Sequence, residues 1–339
     1  QVTRRTVQRD LERLMVRFGD VSISARAIPH GAYDDAMESC FERGWTDGLP
    51  VVPPTDERIV RMLAATTRLP TDTIGRIPPN HHACTVEKVA INAVLAGCRP
   101  EYFPVVLAVV EAALMPKFAM HGLLCTTYFS GPGIVVNGPV ARAIGMNATF
   151  NCLGQGNRAN ATIGRALQLL IRNVGGGVPG QIDRSALGNP GKYTFCFAED
   201  ESDAEWTPLS VARGYTREQS TVTLFHADGV QACVDQKSRT PEQLARSMAM
   251  SLLAVGHPKL VQHGNAMLVL SPEHYAIYRD AGWGRTRIET EIHAATERPG
   301  ADLIQGAHGV GEGMTAEYAK GSWPKFWRDH GLLIVRAGG

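Results

Sequence analysis

Residues 133–145, "GIVVNGPVARAIG", hold a short branched apolar run, a small polar residue, a glycine, a proline and a helical stretch closed by glycine. Isoleucine and valine at 134–136 suit a buried strand. Proline is favourable at the first helical position, where its missing N–H would have had no partner. Residues 266–282, "AMLVLSPEHYAIYRDAG", repeat the order: a strand from Met267 to Leu270, then Ser271, Pro272 and a helix ending at Gly282. "KYTFCFAEDE" (192–201), "STVTLFHADG" (220–229) and "GLLIVRAGG" (331–339) read as three further strands, each followed by polar or glycine residues. Short apolar strands alternating with helices predict an α/β fold with a mixed or mostly parallel sheet and helices on its faces, built from repeated strand-Pro-helix units.

Working outward, 339 residues with 44% hydrophobic content suffice for two such domains. We expect an N-terminal helical arm over 1–40, a first α/β domain over 41–190 and a second over 191–339. A strand followed by "RAGG" normally opens a turn with more chain beyond, so continuation past Gly339 is also expected. Thirty-four basic residues against 33 acidic ones leave no surplus charge to attract a nucleic acid or an anionic membrane. Seven widely spaced cysteines form no disulfide framework and no C-x-x-C pair, which points to a reducing, cytoplasmic setting. No apolar run reaches the ~20 residues of a membrane span.

In α/β sheets, ligands bind beyond the carboxyl ends of strands, where helix N-termini also point. That rule selects Asn137, Glu199, His226 and His274 as members of one polar rim. Glu199, with Glu201 beside it, is a candidate for acid–base work, and Lys192 lies at the start of the same strand. Residues 81–88, "HHACTVEK", place Cys84 just before a helix that Thr85 can cap and Gly97 can stop. A cysteine there gains thiolate character from the helix dipole and nearby histidine. Lys88 and Glu87 could then move protons. The alternative is a small buried Cys84 beside a surface Glu87–Lys88 pair.

"NCLGQGNRANATIGRALQLLIRNVGGG" (151–177) puts a glycine loop ahead of a helix read as capped by Asn160. Free N–H groups around Gly156, Asn157 and Asn160, with Arg158, form a candidate anion site. Arg158, Arg165 and Arg172 recur every seven residues and share a face, read as turned to solvent or a partner. His121 and Cys125 are a weak metal pair, because the surrounding residues suggest a strand, which would separate them. No cofactor is called for, and metal use is not favoured.

The motifs "RGWTDGLPVVPPT" (43–55), "TVEKVAINAVLAGCRPEYFPVVLA" (85–108), "IVVNGP" (134–139), "NRANATIGRALQLLIRNVGG" (157–176) and "NPGKYTFCFAEDE" (189–201) have a familiar form. Over most of residues 40–300 the chain resembles a widespread bacterial family, often described only as hypothetical or thioredoxin-associated, found beside or linked to UGSC-type (seleno)proteins. Those partners carry a Sec/Cys-Gly-Ser-Cys motif, which this chain lacks. The resemblance implies a catalytic subunit, or half of one, working with a thiol or selenol supplied by a partner. It also implies members that run on past the final Gly-Gly.

The resulting expectation is an enzyme of lyase or hydrolase type that cleaves a carbon–heteroatom bond in a small polar or anionic substrate. Cys84 or a partner thiol attacks, Glu87, Lys88, Glu199 and His226 handle protons, and Asn137, Gly156, Asn157, Arg158, Asn160, Lys192 and His274 bind substrate. The rival readings are a thiol-dependent oxidoreductase subunit and a non-catalytic substrate-binding component, each in a homo- or hetero-oligomer.

Overall fold

The computed structural model describes residues 35–262 and 264–339. The helical arm expected over 1–40 therefore lies, up to residue 34, outside the described residues. The fold is α/β, with small mixed and parallel sheets and helices. The chain forms two compact units. The first takes the chain to Asn147, then Cys152–Ala198 and Glu218–Gly229; the second takes Ala148–Asn151, Glu199–Arg217 and Val230–Gly339.

The first unit contains, in chain order, α1 (Ala36–Glu42), α2 (Asp56–Leu63), β1 (Thr73–Ile77), β2 (His82–Thr85), α3 (Val86–Ala96), α4 (Phe103–Ala113) and α5 (Met120–Leu124). It continues with β3 (Gly131–Asn137), α6 (Pro139–Ala143), α7 (Arg158–Asn173), β4 (Cys196–Ala198) and β5 (Thr221–Ala227). β3 is buried along its whole length and lies between β4, parallel to it, and β5, antiparallel to it. Ile134 stands opposite Cys196 on one side and Leu224 on the other. A fully buried strand needs hydrogen-bond partners on both edges. The segments around 196 and 221, which the 190/191 boundary assigned to the second half, supply those partners within the first unit.

Local signals set the helix ends. Thr85 Oγ1 accepts from the Lys88 amide at 3.4 Å, and Gly97, at φ 89°, ends α3 in the left-handed region. At α7 the cap differs from the sequence expectation: Asn157, not Asn160, accepts from the backbone, its Oδ1 lying 3.0 Å from the Asn160 amide. Asn160 is already inside the helix, so its carboxamide turns back to tie the preceding loop, donating to Asn147 O (2.8 Å) and Cys152 O (3.1 Å) and accepting from Asn147 N (3.1 Å). α7 also packs closely on the segment leading into β4. A Cβ at Gly164 would fall 2.5 Å from Thr194 Oγ1 and 3.0 Å from the Phe195 amide, so this position requires glycine.

The second unit contains α8 (Leu209–Ala212), α9 (Pro241–Leu252), β6 (Ala266–Leu270), α10 (Pro272–Asp280) and α11 (Arg285–Ala295). β7 (Arg298–Pro299), α12 (Gly300–Leu303), β8 (Ser322–Trp323) and β9 (Leu332–Arg336) complete it. β6 and β9 pair in parallel, with Leu268 opposite Ile334. Ser271 Oγ accepts from the His274 amide at 3.3 Å, capping α10 behind Pro272. The core gathers Trp206, Leu244, Met248, Leu270, Tyr278, Trp283, Ile288 and Phe326. Among the described residues no single helix is long and apolar enough to cross a membrane.

Candidate functional site

In the first unit a cleft of about 180 Å³ lies against α3 and α7. Lys88, Ile91, Asn92 and Leu95 share one face of α3 at helical spacing. Asn173 and Val174, at the end of α7, and Trp45, from the loop after α1, complete the lining. The walls are therefore mostly apolar, and the polar groups are one amine and two carboxamides.

Those carboxamides brace the cleft. Asn92 Nδ2 donates to Lys88 O at 2.9 Å. Asn173 Nδ2 donates to Asn92 Oδ1 at 2.9 Å and to Trp45 O at 3.2 Å. With its nitrogen so engaged, Asn173 offers its oxygen as an acceptor, and Lys88 offers its ammonium as a donor. The Lys88 Nζ already donates once, to Ala83 O at 2.6 Å, which leaves two of its three hydrogens.

The Trp45 wall is held from behind. Arg165 makes a two-pronged ion pair with Asp47, each contact 2.8 Å, and also donates to Pro50 O (3.0 Å) and Leu49 O (3.2 Å). Burial alone would raise the Asp47 carboxyl, but the Arg165 guanidinium and the hydrogen bonds from the Leu49 and Asp47 amides together outweigh it and hold the carboxyl below its ordinary range. Arg165 thus serves as an internal clamp, where the seven-residue spacing suggested a face turned to solvent or a partner.

Of the residues singled out in the sequence, Lys88 alone lines this cleft. Cys84 requires correction: it is fully buried at the end of β2, and burial pushes its thiol up to about 11, against a smaller opposing effect of the Lys88 charge. It is a packed thiol, not a resting thiolate. Glu87 stands in the first turn of α3, away from the cleft lining.

The other candidates in this unit are held by local partners. Lys192 Nζ donates to Asp183 Oδ2 (2.6 Å) and Ser185 Oγ (2.8 Å), so its charge is already matched. His226 Nε2 donates to Phe118 O at 2.6 Å, and its ring meets Phe118 edge-on. Arg158 Nε donates to Gly97 O at 2.9 Å, while Asn157 Nδ2 donates to Gly145 O at 2.8 Å besides its cap. Gly156, at φ 117°, shapes the turn before α7. Asn137 is buried at the end of β3, paired in register with Thr221. Around 156–160 the Asn157 and Asn160 carboxamides and the Arg158 Nε thus serve as loop braces.

Glu199 and His274 belong to the second unit. Glu199 is buried in a structural network: its carboxylate accepts from Leu209 N (2.7 Å), Trp206 Nε1 (2.8 Å) and Arg285 Nη2 (3.2 Å). His274 Nε2 donates to Asp235 O at 2.8 Å. His121 lies on helix α5, with Cys125 as its C-cap, where the sequence suggested a strand. Its Nδ1 is 3.0 Å from His81 Nε2.

Trp45 and Asn173 stand within the motifs at 43–55 and 157–176, but neither was given a site role there. Asn92, one turn along α3 from Lys88, was likewise given no site role. No family model matches the chain, and no curated protein or solved structure matches it.

Proposed function

We propose that this chain is the substrate-holding catalytic subunit of an enzyme, lyase or hydrolase in type, that cleaves a carbon–heteroatom bond in a small organic molecule. The cleft against α3 and α7 carries this reading. Its volume, about 180 Å³, suits a molecule a little larger than benzene. Trp45, Ile91, Leu95 and Val174 would take an apolar body, Lys88 an anionic or carbonyl oxygen, and Asn173 Oδ1 a hydroxyl or N–H. With Cys84 buried and protonated, the attacking thiolate or selenolate comes from a partner, as the resemblance to the UGSC-associated family implies. It bonds to the substrate's acyl carbon, the carbon–heteroatom bond breaks as the Lys88 ammonium protonates the departing heteroatom, and water then cleaves the new carbon–sulfur or carbon–selenium bond, releasing the carboxylate, freeing the partner thiol or selenol and returning a proton to the Lys88 amine.

The first test is binding of 2-hydroxyisovalerate and isovalerate, followed by saturation-transfer NMR on the purified chain. The hydroxy acid should bind more tightly, and Lys88→Met should weaken both about tenfold or more, the worth of a hydrogen bond to a charged group. Equal binding by Lys88→Met, or no binding at millimolar ligand, would overturn the site. Co-purification from the native host, with mass spectrometry for a Cys/Sec-Gly-Ser-Cys protein, tests the partner.

A second reading is favoured by the lining itself, which includes no carboxylate or imidazole. A non-catalytic binding component would show the same NMR behaviour, with no turnover when the partner is added.

A further inference from the structure

The sequence segment "PPNHHAC" (78–84) and helix α5 bring together two histidines that the cleft does not use. His81 precedes β2 and His121 lies in α5; both are exposed, and their facing nitrogens are 3.0 Å apart. The rings lie within 13° of parallel, with centroids 5.0 Å apart. We propose that His81 and His121 form a binding site for a transition-metal dication of the nickel(II) and copper(II) class, which takes ligands at right angles.

Three observations support the site. The first is its span: metal–nitrogen bonds of about 2.1 Å at a right angle separate two cis nitrogens by about 3.0 Å, which is the spacing present. The second is support of both backbones. Arg76 Nη1 donates to His81 O (3.1 Å), the Asn80 amide to Gly175 O (2.9 Å) and His82 Nδ1 to Val174 O (3.2 Å), fixing the residues around His81. On the other side the Cys125 amide donates to His121 O at 3.0 Å, and the Leu123 amide to Ala119 O at 3.1 Å.

The third is conformation. His81 sits at φ 55°, a left-handed backbone that a side chain bearing a Cβ adopts at a cost. A hydrogen bond between two water-exposed imidazoles offsets little of that, since water would serve each ring nearly as well. Coordination to a shared cation would offset more.

Among the described residues no three His, Cys, Asp or Glu side chains stand together as a metal-holding group. The protein thus contributes two ligands, and water or a further ligand fills the remaining positions. On binding, the imidazole that carries a proton at the contact shifts it to its remote nitrogen. Both contact lone pairs then face the ion, and no oxidation or reduction takes place. Imidazole donors select this class over magnesium or calcium, which prefer oxygen. The site stands independently of the function proposed above.

The test is isothermal titration of the full chain, stripped with EDTA, with nickel(II) chloride and then magnesium chloride. One nickel site and no magnesium binding are expected. His121→Ala and His81→Asn should each weaken nickel binding at least tenfold, and the double variant should be little worse than either, because a two-point chelate fails when one ligand goes. Asparagine tolerates the left-handed backbone, so His81→Asn keeps the fold, checked by an unchanged thermal midpoint. His308→Ala, at an exposed histidine in the second unit, should bind nickel as the parent does. Nickel affinity unchanged in both site variants, or no binding at millimolar nickel, would overturn the proposal.

Discussion

A thiol beside a helix N-terminus ionises readily only where water or a close cation can stabilise the charge. Cys84 has the sequence position and lacks the exposure. With its pKa at about 11, roughly one molecule in a thousand carries a thiolate at pH 8, against about one in four for an ordinary cysteine. A thiol reagent such as 5,5′-dithiobis(2-nitrobenzoate) should therefore label the exposed Cys125 first. Cys84 should react more than about a hundredfold more slowly, on the time scale of unfolding. Peptide mapping of labelled protein reads this directly, and prompt labelling of Cys84 in folded protein would refute the structural role assigned to it.

At the scale of elements, the loop after α1 is attached to α7 by the Arg165–Asp47 ion pair and by hydrogen bonds from Arg165 and Asn173 to its backbone. The Arg165 and Asp47 side chains are only 14% and 13% exposed, so the pair is screened far less than a surface one. Arg165→Met should cost roughly 2 kcal/mol by leaving a mostly buried carboxylate without its guanidinium, and should lower the thermal midpoint by about 6 °C. The folded pKa of Asp47 lies below its unfolded value, so the unfolded chain binds more protons between the two. The contribution is complete above about pH 4 and is lost as pH falls through the folded value. Urea unfolding of parent and variant should accordingly differ most at neutral pH and converge as the pH falls below the ordinary carboxylate range. The variant should also loosen Trp45 and weaken cleft binding, although Arg165 itself does not line the cleft.

At the scale of the whole chain, each unit has its own core, and the second encloses an uncommon group. Lys325 is 1% exposed, its ammonium bonded to His257 O at 2.6 Å and Leu260 O at 2.9 Å. Burial, reinforced by the Arg298 charge, pushes its pKa down to about 8. The folded value lies below the ordinary one, near 10.5, so the unfolded chain binds more protons between the two. Stability of this unit should rise with pH across that window, by roughly 1.5 kcal/mol from pH 8 to 9.5. Unfolding in urea followed by tryptophan fluorescence, with Trp206 and Trp283 both in this core, measures it. A flat or falling profile would show that Lys325 is not held as a strained buried cation.

Sequence alone determined what depends on neighbours three or four residues away: Thr85 and Gly97 bounding α3, Ser271 and Pro272 opening α10, and the apolar strands at 134–136 and within 220–229 and 331–339. A cap or a branched apolar run acts through adjacent backbone, so its consequence can be read without the rest of the fold. The same locality explains the error at α7, where two asparagines three residues apart suit a cap equally well and the reach of Asn160 to Asn147 decided between them. Tertiary structure alone decided which side chains share a cleft. Lys88 was legible as a candidate, but Asn92 and Asn173 are 81 residues apart and meet only because α3 packs against α7. Whether a polar residue faces substrate or braces a loop depends on which distant backbone groups packing leaves in need of a partner. Arg158 and His226 are each engaged in that way, by Gly97 O and Phe118 O, and no local pattern records it.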